Sequence, residues 1–279
     1  MCRHLAYLGP PTTLSALLLD PPHGLLRQSY APADMRGGGT VNADGFGAGW
    51  YAPAETAADP GSGAGANSAG EAGPAGPGPV RYRSAQPLWS DTSFHALAGA
   101  TRSSVVLAAV RSATPGMPVV STAVAPFAEG RWLFSHNGVV RGWPGSVAAL
   151  ASGLPVTDLM TLDAPSDSAL LWALVRHRLR DGANPGTVLA EIVVAVQAAA
   201  PGSRLNLLLT DGSTIWATTW GHALSVCTTP DSTTVASEPL DPSPGWTGVP
   251  DRHLVVARPG RHRLAILTAL QSTHAQGVR

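Results

Sequence analysis

Short apolar runs divided by turn residues dominate this chain. Cys2–Leu8, Phe46–Tyr51, Val80–Arg83, Val105–Val110, Trp132–Ser135, Leu205–Thr210, Thr214–Thr219, Thr233–Ser237, Leu254–Ala257 and Arg263–Leu267 all have the length and β-branched or aromatic content of strands. Ala223–Cys227 reads as a further buried strand. Asp211-Gly212 between two apolar runs predicts a hairpin, and Pro259-Gly260 a second turn. Helical spacing is confined to Leu14–Leu19, Ser168–Arg180 and Thr187–Ala199; in the second, Leu170, Leu171, Leu174 and Val175 share a face behind a cap at Ser166 or Asp167. Strands outnumber helices, and helices come in blocks instead of alternating with them. That order predicts an α+β fold, antiparallel sheet covered by helices, and not a parallel doubly wound one. No internal repeat is visible.

From Pro53 to Pro79 the pattern vanishes into Ala, Gly, Pro, Ser and a few acids. Such a segment cannot bury enough surface to offset its ordering entropy, so it reads as a disordered insertion between two strands of one sheet. The expected organisation is a single domain over residues 2–279 carrying this insertion. With 279 residues, 44% of them hydrophobic, one large core is affordable.

Charge then narrows the partners. Eighteen basic residues, all Arg, balance eighteen acids, and charged residues are only 13% of the chain. That leaves no electrostatic footprint for nucleic acid or an anionic membrane, excludes lysine chemistry, and favours a small neutral or zwitterionic molecule. The Arg-only, Ala- and Gly-rich composition has the look of a GC-rich bacterial source. Two cysteines, Cys2 and Cys227, make neither a disulfide framework nor a zinc motif, and Cys227 reads as a core thiol. Without a leader or a bilayer-length apolar stretch, the expected location is the cytoplasm; a homo-oligomer is compatible with everything above.

Cys2 carries the chemistry. If Met1 is removed, one residue holds a thiol and a free α-amine whose ordinary pKa, roughly 7.7 to 8, suits it to act as that thiol's base. Position alone says little, because a second residue is incidental in many proteins. Three further motifs supply what a thiol acting on an amide requires. Arg111-Ser112-Ala113-Thr114 follows an apolar strand, where a guanidinium is rigidly aimed and can grip a carboxylate bidentately. Ser135-His136-Asn137-Gly138 ends another, offering a side-chain amide and a backbone N–H of the kind that stabilise an oxyanion, although Asn-Gly is equally an ordinary turn. Ser166-Asp167-Ser168 precedes a helix, so Asp167 either meets a substrate ammonium or caps the helix.

In this order, Cys2, Arg111-x-x-Thr114, Ser135-His136-Asn137-Gly138 and Ser166-Asp167-Ser168 resemble the glutaminase domain of class II glutamine amidotransferases, which are N-terminal nucleophile (Ntn) hydrolases. The resemblance covers nearly the whole chain apart from the insertion and the tail. It implies a four-layer αββα sandwich, Cys2 as nucleophile with its α-amine as base, and Asn137 with Gly138 as oxyanion hole. It also implies that Arg111 binds the substrate α-carboxylate and Asp167 its α-ammonium, with Thr114 and His136 in the same motifs as substrate contacts. His136 and His4 are otherwise supporting residues. Asn42–Trp50 resembles the family's glycine-rich loop, in which glycines let backbone approach the substrate. Ala125 stands where many relatives have a histidine, and no role is given to it. No cofactor or metal is implied.

No room remains for a synthase domain, so simple hydrolysis is expected. The opening Cys2–Gly9, the Asn42–Gly47 loop and Ala236–Asp241 are most similar to the ergothioneine-biosynthesis amidohydrolases of actinobacteria. That likeness implies cleavage of γ-glutamyl-hercynylcysteine sulfoxide to glutamate and hercynylcysteine sulfoxide. Its trimethylammonium group suits an aromatic face, for which Trp50, Trp132 and Trp143 lie near the motifs, though core packing explains each as well. A general glutaminase, another γ-glutamyl amide hydrolase, an ammonia-supplying subunit, or a binding module in which Cys2 is incidental are the alternatives.

Overall fold

The computed structural model describes residues 2–35, 41–52 and 78–267. Met1, most of the 53–79 insertion and the tail beyond residue 267 lie outside the described residues. The strands are β1 (Arg3–Thr13), β2 (Phe46–Trp50), β3 (Val80–Ser84), β4 (Arg102–Val110), β5 (Phe127–Glu129), β6 (Trp132–Val139), β7 (Arg204–Thr210), β8 (Ile215–Thr218), β9 (Ser225–Thr228), β10 (Thr233–Ala236), β11 (Trp246–Gly248), β12 (His253–Arg258) and β13 (Arg261–Ile266). The helices are α1 (Leu14–Leu18), α2 (Leu25–Tyr30), α3 (Thr92–Ala100), α4 (Ala148–Ala151), α5 (Val156–Met160), α6 (Asp167–Arg180) and α7 (Pro185–Ala199).

Two antiparallel sheets form, ordered β11-β9-β10-β1-β4-β2-β3 and β13-β12-β8-β7-β6-β5. Period-2 alternation explains how they stack. In β1, Leu5 and Tyr7 enter one apolar cluster with α1, α2 and α3 residues such as Leu14, Leu25 and Phe94, whereas Ala6 and Leu8 point the other way. In β4, Val106, Ala108 and Val110 face the helices, and Val105 and Leu107 face the second sheet. The second sheet alternates in mirror fashion. Leu133, Leu208, Ile215 and Ala217 meet Leu107 between the sheets, while Phe134, Leu207, Leu209 and Trp216 pack beneath α6 and α7. Three apolar layers therefore join four layers of structure, the αββα sandwich that the resemblance implies.

Helix boundaries follow local chemistry. Ser166 Oγ accepts the Ala169 N–H at 3.3 Å to start α6, and Arg178 and Arg180 sit in its last turn, where cations complement the helix dipole. Asn184 Oδ1 accepts from Thr187 N at 3.2 Å and Pro185 occupies the first turn of α7. α3 was not expected, yet Asp91 Oδ1 caps it by accepting from Phe94 N at 3.0 Å.

Three local expectations need correction. The strand expected to stop at Ser135 runs on through the Ser135–Gly138 motif to Val139, paired with β7 so that Asn137 faces Asn206 and Gly138 faces Leu205. The Asn-Gly turn is thereby excluded. The close approach expected of the glycines in the 42–50 stretch is made to protein: Gly45, Gly47 and Gly49 stand against Ser84, Ala125 and Leu133. Gly47 has its missing Cβ against the Ala125 carbonyl, 2.4 Å from where that carbon would stand, in a wholly buried β2. Cys227 is half-buried between β10 and β11 instead of being a core thiol, because its strand lies next to the sheet edge.

Leu107 is fully buried between the sheets. Leu107→Ala should destabilise the fold by about 2–5 kcal/mol through lost burial and a residual cavity. Urea unfolding should show this as a lower midpoint at unchanged slope; a midpoint within experimental error of the parent would contradict the layer assignment.

Candidate active site

Register fixes the site. Arg3 pairs with Val110 across β1 and β4, so Cys2 and Arg111 leave the sheet side by side, and the Cys2 Sγ lies 3.7 Å from the Ser112 carbonyl oxygen. On the other flank of β1, Leu5 pairs with Ala236, which sets Ser237 and Glu238 beside His4 and Arg3. The Asn42–Gly45 segment braces the Arg111 side. Asp44 N donates to Arg111 O at 3.0 Å, its Oδ2 accepts from Ala113 N at 2.7 Å, and Arg111 N donates to Gly45 O at 2.8 Å.

The facing sheet supplies Asn137. Its Nδ2 donates to Ser237 Oγ at 3.0 Å, and the same hydroxyl oxygen accepts the His4 backbone N–H at 3.0 Å. Ser237 N returns a bond to His4 O at 2.9 Å, and His4 Nδ1 lies 3.1 Å from Ser135 Oγ. An amide NH2 has two hydrogens, so one remains for an oxyanion after Ser237 takes the other. Gly138 admits no other residue, since an added Cβ would stand 1.8 Å from the Arg204 carbonyl oxygen. Its neighbour His136 is held by Ser168 Oγ at Nδ1 (3.0 Å) and donates from Nε2 to Arg204 O (3.0 Å). With both nitrogens occupied and the ring buried, His136 supports Gly138 and the α6 terminus and has no atom left for substrate.

Asp167 resolves its own ambiguity. Ser166 is the cap; the Asp167 carboxylate instead accepts Val140 N–H at 3.0 Å and Ser168 N–H at 2.8 Å, which ties the start of α6 to the end of β6. Its remaining lone pairs are open to an ammonium. Arg111 Nη1 donates to Pro118 O at 2.8 Å, and no carboxylate pairs with this guanidinium among the described residues. Thr114 is exposed on the rim of a cleft of about 430 Å³ that also meets Val140, Arg141 and Trp143. Of the three tryptophans near the motifs, only Trp143 lines this cleft. Trp50 is buried under the helices, and Trp132 packs on the α6–α7 core at 5.9 Å from Trp216.

Residues without a sequence-based role matter here too. Ser237 and Ser135 tie the two sheets together, and Arg3 with Glu238 form a buried ion pair at 2.6 Å. A charged residue opening an apolar strand and an acid amid apolar neighbours were the available signal, since buried charges are expected to pair. Among the described residues, no group of three or more His, Cys, Asp or Glu side chains could hold a metal ion, and no helix is long and apolar enough to cross a membrane.

The layers and this edge-on arrangement define an Ntn glutamine amidotransferase fold. Solved structures agree: a glutamine aminotransferase class-II domain protein from Silicibacter pomeroyi superposes with a TM-score of 0.62 at 22% identity, covering 95% of this chain and 99% of that one. The glutamine phosphoribosylpyrophosphate amidotransferase of B. subtilis gives 0.58 at 13% identity over 95% of this chain and 49% of that one. No family model matches the chain. Curated relatives named gamma-glutamyl-hercynylcysteine sulfoxide hydrolase are 45% identical over 92% of this chain and 96% of the Mycolicibacterium smegmatis protein, and 43% identical over 91% and 92% for Mycobacterium tuberculosis. The chain belongs to the gamma-glutamyl-hercynylcysteine sulfoxide hydrolase family.

Burial, with His136, His222 and Arg3 nearby, pushes the His4 imidazole down to about 3. An unfolded chain binds that proton near the ordinary value of about 6.5, so the stability that neutral His4 provides is complete above that pH and drains away as pH falls toward 3. Burial lowers His136 in the same direction, against the pull of Asp167. Replacing His4 by Gln should therefore shrink the difference in unfolding free energy between pH 7 and pH 5 by about 2 kcal/mol. Denaturant titrations at the two pH values measure it, and an unchanged difference would rule out His4 as its source.

Proposed function

We propose that this protein hydrolyses the γ-glutamyl amide of γ-glutamyl-hercynylcysteine sulfoxide, releasing glutamate and hercynylcysteine sulfoxide, through a thioester on Cys2. One observation carries the reading: Cys2 leaves the central strand beside Arg111 while Asn137, reaching from the opposite sheet, is anchored to Ser237 at the same edge. Identity of 43–45% with relatives named for that reaction supports the substrate.

The chemistry follows from the residues. After loss of Met1, the Cys2 α-amine takes the thiol proton and the thiolate attacks the γ-carbonyl carbon. Negative charge gathers on the carbonyl oxygen, where the second Asn137 Nδ2 hydrogen and the Gly138 N–H stabilise it. Collapse breaks the C–N bond, and the ammonium of Cys2 returns the proton to the departing nitrogen. Water, deprotonated by the same amine, then attacks the thioester and frees glutamate and the thiol. Arg111 grips the α-carboxylate and Asp167 the α-ammonium, with Thr114 at the rim. Trp143 is the aromatic proposed to meet the trimethylammonium end. The partner is a small molecule, met in the cytoplasm.

Intact-mass analysis alongside glutamate assays tests this. Met-free protein should release glutamate from the sulfoxide, Cys2→Ala should lose more than about a thousandfold of that rate, and Arg111→Met should raise KM about 10–100-fold as a charged hydrogen bond is removed. Release from free glutamine alone would move the function to a glutaminase. Full activity in protein that retains Met1 would eliminate the α-amine as base.

A further inference from the structure

The Arg3–Glu238 pair takes no part in the steps above, yet both charges are buried and extensively hydrogen-bonded. Arg3 is 0% exposed and Glu238 only 3%. The guanidinium Nε donates to Glu238 Oε1 at 2.6 Å, Nη1 donates to the Cys2 carbonyl oxygen at 2.9 Å, and Nη2 donates to the Asp34 carbonyl. Glu238 Oε2 accepts from Ala33 N at 2.8 Å and contacts His23 Nε2 at 2.5 Å, while Oε1 also accepts from Asp34 N at 3.2 Å. Burial opposes ionisation of this carboxyl, but hydrogen bonds from His23 and Ala33 and the Arg3 charge outweigh it and hold the group below the usual carboxylate range.

Burying two charges is seldom a net gain in stability over apolar packing, so this pair invites a functional account. Geometry provides one. Once Met1 is gone, residue 2 has no preceding peptide to restrain it, and its amine and Cβ–Sγ arm extend from a Cα whose place depends on the orientation of the Cys2–Arg3 peptide plane. A guanidinium clamped on the Cys2 carbonyl fixes that plane, and with it the Cα from which both groups extend. A misplacement of about 1 Å at a reacting centre can cost about a hundredfold in rate.

We infer that Arg3 and Glu238 are positioning residues for the nucleophile: Glu238, anchored by the Ala33 and Asp34 amides and His23, holds the Arg3 guanidinium on the Cys2 carbonyl and so fixes the Cα from which thiol and amine extend. This rests on Cys2 being the nucleophile. It gives the Ser237-Glu238-Pro239 stretch, which the sequence marks only by likeness, a physical task.

The test compares Met-free parent, Glu238→Gln and Glu238→Ala for kcat, KM, melting temperature and the rate of Cys2 alkylation by iodoacetamide, read at Cys2 by peptide mass so that Cys227 does not contribute. Glu238→Gln should lower kcat about 10–100-fold and slow alkylation, with KM within about twofold, and Glu238→Ala should do so more strongly. A raised KM at unchanged kcat would make Glu238 a substrate contact, and lowered melting temperature with unchanged kcat and alkylation would make the pair merely structural; either overturns the inference. If Glu238→Ala does not fold, His23→Gln, which strips one bond from the outer side of Glu238, should give a smaller fall in kcat and alkylation, and parent-like values would overturn it. Alkylation needs no substrate, so the wrong choice of amide leaves this readout intact, whereas activity surviving in Cys2→Ala would sink the nucleophile assignment itself.

Discussion

Everything at the site depends on a polar bridge laid through an apolar seam. Between the sheets, Leu8, Leu107, Leu208 and Val255 make a non-directional contact that would tolerate sliding of one sheet over the other. The Asn137–Ser237–His4–Ser135 bonds do not tolerate it. Each is directional, each is buried, and breaking any one strands a polar group away from water at a cost of about 1–3 kcal/mol. Hydrophobic burial thus supplies the adhesion of the two sheets, and four hydroxyl, amide and imidazole groups supply their alignment. Because one of those groups is Asn137, the alignment of the sheets and the aim of the proposed oxyanion donor are the same quantity.

Neutral histidines fit this arrangement. Burial pushes His4 and His136 toward the uncharged form; His4 Nδ1 meets Ser135 while its buried Nε2 has no hydrogen-bond partner among the described residues, and both His136 nitrogens are spent on Ser168 and Arg204. His136 gives Gly138 its floor and links β6 to α6, so Gly138 and Asp167 are spaced by an imidazole whose charged form burial disfavours.

Much of this was legible in the chain and some was not, for separable reasons. Strands such as Val105–Val110 and Leu205–Thr210 announced themselves because both faces are buried, which leaves long apolar runs. The same property hid their partition into two sheets, since a strand buried on both sides shows no preferred face. α3 was overlooked although Asp91 and the Phe94, Leu97, Ala98 spacing were there to be read; the short helix is mostly Ala, Ser and Gly. Cys2, Arg111, Asn137 and Asp167 stood out by order along the chain, whereas the contacts that Ser237 and Glu238 make did not, because their partners Asn137 and Arg3 lie 100 and 235 residues away. His136 misled for the opposite reason: proximity in sequence to Asn137 suggested shared chemistry, and strand alternation turned its ring to the other face.

The junction between β2 and β3 has a use of its own. Trp50 and Val80 are register partners at the rim of the seven-stranded sheet, at the end of β2 away from Gly45 and Arg111, so the chain between them closes a gap one strand spacing wide. Closure entropy grows only slowly with length, about 0.6 kcal/mol for each doubling. That makes the rim a natural port. A fluorescent module, an affinity tag or a tether to a surface inserted there, or a tight turn put in place of residues 53–77, would alter the molecule's outline while leaving in place Tyr51, whose hydroxyl donates to Arg131 O at 2.6 Å, and the alignment of Cys2 and Asn137.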